Sequence, residues 1–100
     1  MKHISNDLTG VWKTDPNDII TQQLYGDVIM DFRDNGELVY TIIEDGREQM
    51  IFMTYEVSGG VLITNQPSLP QKEITDFILI GQRLELNFNG TKSKYIKVKQ

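Results

Sequence analysis

The chain has 100 residues, of which 39% are hydrophobic and 24% charged, with a formal net charge of −4 and no cysteine. This length and composition predict one globular domain spanning residues 1–100. The missing cysteines exclude disulfides and thiolate metal sites, and the negative charge argues against nucleic acid as a partner. Because neither a membrane-length apolar run nor an apolar leader segment is present, we expect a cytoplasmic protein with no membrane partner.

The first predicted element is a strand, TGVWKT at residues 9–14, and the second is a short helix from Pro16 to Tyr25. Asp15 stands where a helix N-cap belongs, and Pro16 occupies the first helical position. Gly26 follows at the point where a helix would end. The segment therefore predicts a helix of two to three turns between the first two strands.

Seven further apolar segments have a period-two character and are separated by turns rich in glycine, asparagine and aspartate. They are DVIMDFR (27–33), ELVYTII (37–43), QMIFMTYEV (49–57), GVLITN (60–65), EITDFILI (73–80), RLELNF (83–88) and KYIKVK (94–99). With the first strand they predict an all-β, antiparallel meander of eight strands. Such a meander closes into a barrel or folds over as a sandwich. The longer connection NQPSLPQ, at residues 65–71, either caps a barrel mouth or links two strands.

Gly10 and Trp12 form a Gly-x-Trp element, in the context LTGVWK, at the start of the first predicted strand. In this context the element resembles the first-strand motif of the lipocalin and wider calycin families. The resemblance implies a small up-and-down barrel closed at one end by Trp12. It also implies that a basic residue of the last strand, Lys94 or Lys97, packs over the indole. Lipocalins proper are longer and usually contain a disulfide, so this chain is similar to a compact lipocalin-like domain.

The sequence offers no candidate residues for catalysis or for metal binding. His3 is the only histidine and lies in the terminal segment, with no partner for a triad or a metal site. Asp27 and Asp31 share one strand face but are too far apart for a paired-carboxylate glycosidase, so they indicate a solvated acidic face. We therefore expect no enzymatic activity, no metal and no cofactor.

The segments 37–43 and 49–57 are apolar on both faces, so something should cover their second face. The short helix, a second subunit or a ligand in an internal cavity are the three candidates. Tyrosine and methionine suit recognition surfaces, although they also fill cores. The candidate ligand-binding residues from these segments, together with the first-strand tryptophan, are Trp12, Tyr40, Phe52, Met53 and Tyr55.

Asp76 completes the set of candidate ligand-binding residues. It shares a strand face with Ile74 and Ile78, and as an inward-facing carboxylate it would need a partner and could anchor a ligand. Alternatively, Phe77 and Leu79 point inward and Asp76 faces solvent. Two functions remain: a non-enzymatic binding protein for a small apolar ligand, or a protein-interaction module, either a homodimer or an accessory subunit, with a filled barrel.

Overall fold

A computed structural model describes residues 8–66, 72–88 and 90–98, which leaves His3 and most of the predicted 65–71 connection outside the described residues. The elements in chain order are β1 (Gly10–Thr14), α1 (Ile19–Tyr25), β2 (Asp27–Phe32), β3 (Glu37–Glu44), β4 (Arg47–Ser58), β5 (Val61–Asn65), β6 (Lys72–Ile80), β7 (Arg83–Phe88) and β8 (Thr91–Lys97). The predicted all-β meander of eight antiparallel strands with one short helix is confirmed. No helix in the described ranges has the length and apolar character needed to cross a membrane.

The strands form a closed barrel in which each strand pairs with the next in sequence. Closure comes from antiparallel pairing of β1 with β8, where Trp12 lies opposite Lys97 and Thr14 opposite Tyr95. The barrel prediction is therefore confirmed over the sandwich. Because strand direction alternates, the β2–β3, β4–β5 and β6–β7 turns share one end of the barrel, here called the Trp12 end. Helix α1 and the β3–β4 turn lie at the other end, here called the helix end.

Helix α1 begins at Ile19 rather than at Pro16. Its N-cap is Asp18, whose side chain accepts a hydrogen bond of 3.1 Å from the backbone N–H of Thr21. Asp15, the expected cap, instead accepts a bond of 3.0 Å from the Asp18 N–H in a turn that precedes the helix. The side-chain hydrogen bond from Thr21 holds the pKa of Asp18 below its ordinary value of 3.8. The predicted end at Gly26 is confirmed, with a φ of 72° there.

Helix α1 packs on β8 and not on the outer face of β3 and β4. The fully buried Thr21 accepts a 3.4 Å hydrogen bond from the backbone N–H of Lys94. The apolar helix residues Ile19, Ile20 and Leu24 are all exposed. The helix therefore does not supply the cover that was expected for the second face of those two strands.

Inward-facing side chains from the strands and Leu8 form one core. Its buried members are Leu8, Trp12, Val28, Met30, Phe32, Leu38, Tyr55, Leu62, Leu84 and Tyr95. Phe32 and Tyr55 meet edge to face, with ring centroids 5.0 Å apart. The Tyr55 hydroxyl donates a 2.7 Å hydrogen bond to the carbonyl of Arg33, which ties β4 to the β2–β3 turn. Aromatic packing thus closes the Trp12 end.

Candidate functional site

Trp12 lies at the centre of the closed end and is fully buried. Its Nε1 donates a 2.9 Å hydrogen bond to the carbonyl of Leu8, so the polar part of the indole is satisfied. The Lys97 ammonium lies 5.6 Å from the ring centroid, within the range of a cation–π interaction. Of the two lysines expected over the indole, Lys97 is the one found there. Lys94 is exposed, and strand alternation places it on the opposite face of β8.

Gly10 makes room for this lysine. Its φ is +132°, a backbone conformation that favours glycine. A Cβ at this position would lie 2.9 Å from Cε of Lys97, closer than real Cβ contacts. The glycine of the Gly-x-Trp element therefore lets the lysine side chain pass close to the β1 backbone, and the ammonium group at its end lies over the tryptophan ring.

A cavity of about 330 Å³ occupies the interior of the barrel toward the helix end. Most of its lining is aliphatic or aromatic, and the remainder is hydroxyl, amide or carboxylate. The described lining residues are Tyr25, Met30, Leu38, Tyr40, Ile51, Met53, Leu62, Thr64, Gln66, Glu73, Thr75, Leu86, Phe88, Ser93 and Tyr95. They come from β2 to β8, from the last residue of α1 and from the residue after β5. The cavity thus has the mixture of apolar surface and few polar groups that is typical of small-molecule sites.

The cross-strand register builds the cavity wall. Tyr40 lies opposite Met30 of β2 and opposite Ile51 of β4, so three lining side chains stand in one row. Leu38 and Met53 form the neighbouring pair on the same face. Because side chains on a strand alternate between faces, the residues between these lining positions lie on the outer face of the barrel.

Two tyrosine hydroxyls are the most buried ionisable groups of the cavity. Burial raises the pKa of Tyr40 far above its ordinary 10.0, and the neighbouring Tyr95 raises it further. Burial also raises the pKa of Tyr95, against the opposing effect of a hydrogen bond from Ser93. Both phenols are therefore neutral at physiological pH, and each presents a polar hydroxyl within an apolar wall.

The structure brings together two of the six predicted ligand-binding residues, Tyr40 and Met53, which both line the cavity. Trp12 and Tyr55 are buried in the core and do not line it. Their large aromatic side chains instead fill the Trp12 end.

The remaining two predicted site residues, Phe52 and Asp76, lie on the outer face of the barrel. Phe52 is 61% exposed because alternation along β4 turns it away from its inward neighbour Met53. Asp76 is exposed, while Phe77 and Leu79 pack against the core. The interpretation with Asp76 facing solvent is therefore correct, and Asp76 as an inward ligand anchor is wrong.

Sequence reasoning missed several cavity residues, notably Glu73, Phe88 and Tyr95. Glu73 had a usable signal, because it lies an even number of residues before Phe77 and Leu79 and so shares their inward face. For Tyr95 and Phe88 the sequence predicts only membership of a strand. Their roles depend on barrel closure, which brings β7 and β8 around to face β3.

No group of three or more histidine, cysteine, aspartate or glutamate side chains within the described ranges could hold a metal ion. No model of a known protein family matches the chain, and no curated protein matches it either.

Proposed function

We propose that this protein is a non-enzymatic binding protein that holds a small apolar ligand inside a lipocalin-like barrel. The observation that carries the proposal is the cavity of about 330 Å³ with its apolar and aromatic lining. Its volume lies at the lower end of the ~300–1,000 Å³ range of ligand pockets, so the ligand is small. An eight-stranded barrel has room for its own side chains or for one such molecule.

The uneven filling of the barrel interior supports this function. Trp12, Phe32 and Tyr55 fill the Trp12 end, and cavity space is left toward the helix end. Burial of apolar ligand surface contributes about 25 cal/mol per Å², while the Tyr40 and Tyr95 hydroxyls orient a polar group of the ligand. The placement of Trp12 under Lys97 supports the lipocalin-like assignment, since it is the arrangement that the first-strand resemblance implies.

Binding of the neutral apolar fluorophore N-phenylnaphthylamine to the purified chain tests this function. Met53→Lys places a charge in the cavity wall and should weaken binding about tenfold or more, because an unpaired charge is costly beside apolar surface. Phe52→Lys, one residue away on the outer face, is the matched control and should leave binding unchanged. Met53→Trp, which fills the cavity without adding charge, should also weaken binding. Equal binding by all four proteins would refute the internal site.

The alternative function is a protein-interaction module, and the exposed apolar residues of the outer face favour it. Met50 and Phe52 on β4 are 56% and 61% exposed, and Ile74, Ile78 and Ile80 form an exposed row on β6. Sedimentation of the wild-type chain distinguishes the two proposals. A mass that is a multiple of 11.5 kDa and that falls to the monomer in Phe52→Lys would support the interaction module.

A further inference from the structure

We propose that the ligand carries a positive charge: the cavity takes a small aromatic or alkyl amine whose ammonium group pairs with Glu73. This inference rests on the proposed function, because it names the chemical class of the molecule that occupies the same cavity.

Glu73 is the one charged side chain among the described lining residues. It lies near the start of β6 on the inward face, two residues before the buried Thr75. Its cross-strand partner Thr64 also lines the cavity, which places the carboxylate in the wall and not on the outer surface. Glu73 is itself exposed, so its carboxylate is in contact with water until a ligand arrives. An ammonium group there gains a charge-assisted hydrogen bond, whereas an anionic head group would meet a like charge.

The aromatic lining favours the same class of ligand. Tyr25, Tyr40, Phe88 and Tyr95 contribute four rings to the cavity. The faces of such rings attract cations, and aromatic walls are how proteins recognise alkylated ammonium groups. The same rings also stack on an aromatic body of the ligand. An amine with an apolar body therefore satisfies both the rings and the carboxylate, while a purely apolar ligand leaves the carboxylate unused.

The charge distribution around the helix end also favours a positively charged ligand. The segment 15–27, which contains α1, carries three acidic residues and no basic residue, and the segment 44–48 carries three acidic residues and Arg47. Among the described residues, the other basic side chains at this end are Lys72, Lys92 and Lys94, so with Glu73 the acidic residues number seven against four basic ones, and Lys92 lies 3.7 Å from a carboxylate oxygen of Glu85. Summed over this end, the acidic charge raises the local concentration of cations before they reach the cavity.

Three probes with one hydrophobic body test the inference: phenylbutylamine, phenylbutanol and phenylbutyrate, titrated into the full chain by calorimetry at neutral pH and low salt. The amine should bind about five- to tenfold more tightly than the alcohol, from one partly exposed ion pair and a cation–π contact. The carboxylate should bind most weakly. In Glu73→Gln the amine should lose the part of its advantage over the alcohol that comes from the ion pair and keep only the part that comes from the cation–π contact, while the affinity for the alcohol stays unchanged.

Glu56→Gln is the matched control, because Glu56 is exposed on the outer side of β4, next to the inward-facing Tyr55. It removes the same charge from the chain without touching the cavity. Equal binding of amine and alcohol, or an equal loss of amine affinity in the two variants, would overturn the amine assignment and leave the binding function standing. Failure of all three probes and of N-phenylnaphthylamine to bind would overturn the binding function as well.

Discussion

Gly10→Ala is expected to destabilise the barrel by about 2–4 kcal/mol. The backbone at Gly10 has a φ of +132°, and holding alanine in such a region costs on the order of 1–3 kcal/mol. The added Cβ would also lie 2.9 Å from Cε of Lys97, so the lysine stem must move. Displacing the ammonium from Trp12 loses a cation–π interaction of about 0.5–2 kcal/mol. For a domain of this size the melting temperature should fall by about 10 °C or more.

A double-mutant cycle separates these two effects. Lys97→Ala removes the atom that the new Cβ would meet, so Gly10→Ala in that background should cost only the backbone strain. The coupling energy between the two sites should therefore be about 0.5–2 kcal/mol, as expected for residues in contact. Thermal and urea unfolding followed by far-UV circular dichroism gives all four free energies of unfolding.

Gly59→Ala is the control for adding a Cβ at a glycine of positive φ where no neighbour is close. Gly59 also has a positive φ, of +55°, but a Cβ there would have no neighbour within 4 Å. The reasoning is refuted if Gly10→Ala costs no more than Gly59→Ala, or if its cost is the same with and without Lys97. Either result would mean that the glycine does not seat the lysine over the tryptophan.

The remaining predictions use thermal unfolding as the readout. Trp12→Ala should cost about 3–5 kcal/mol because it empties a fully buried site, whereas Phe52→Ala should change stability by only about 0.5 kcal/mol. An equal effect of the two truncations would contradict the assigned burial. Tyr55→Phe should cost about 1 kcal/mol, since its hydroxyl no longer donates to the Arg33 carbonyl, and an unchanged melt would show that this bond contributes nothing. Burial raises the pKa of Tyr40 above 10.0, so the folded protein keeps a proton that the unfolded chain releases. Stability should therefore fall as the pH rises above 10.0, and less steeply in Tyr40→Phe; parallel pH profiles for the two proteins would refute this.

The strands could be predicted from the sequence because their physical causes are local. Alternation marks which residues share a face, and glycine supplies the positive φ that tight turns require, as at Gly36 and Gly46. The start of α1 could not be fixed in this way. Asp15 and Asp18 are both suitable caps, and only the folded backbone shows that Asp15 closes a preceding turn while Asp18 caps the helix.

The candidate site was predicted less well, because β4 is apolar on both faces. Phe52 and Met53 are adjacent and both hydrophobic, so the local signal lies only in their neighbours: Phe52 shares its face with Thr54 and Glu56, whereas Met53 shares its face with Tyr55 and Val57. The strand register in the folded barrel shows that Met53 points inward, because Met53 lies opposite the inward Leu38 and Phe52 lies opposite Val39. The contributions of Phe88 and Tyr95 also depend on contacts between strands distant in sequence, which no local pattern records.

The two ends of the barrel differ in how tightly they are packed, and this difference follows from where the large side chains lie. Trp12, Phe32 and Tyr55 leave the closed end without space, so substitutions there should change stability. At the helix end, Glu73 is exposed and Met53 is only partly buried, so substitutions there leave most of the core intact. We therefore expect Glu73→Gln to lose affinity for the amine without losing stability, and Trp12→Ala to lose stability.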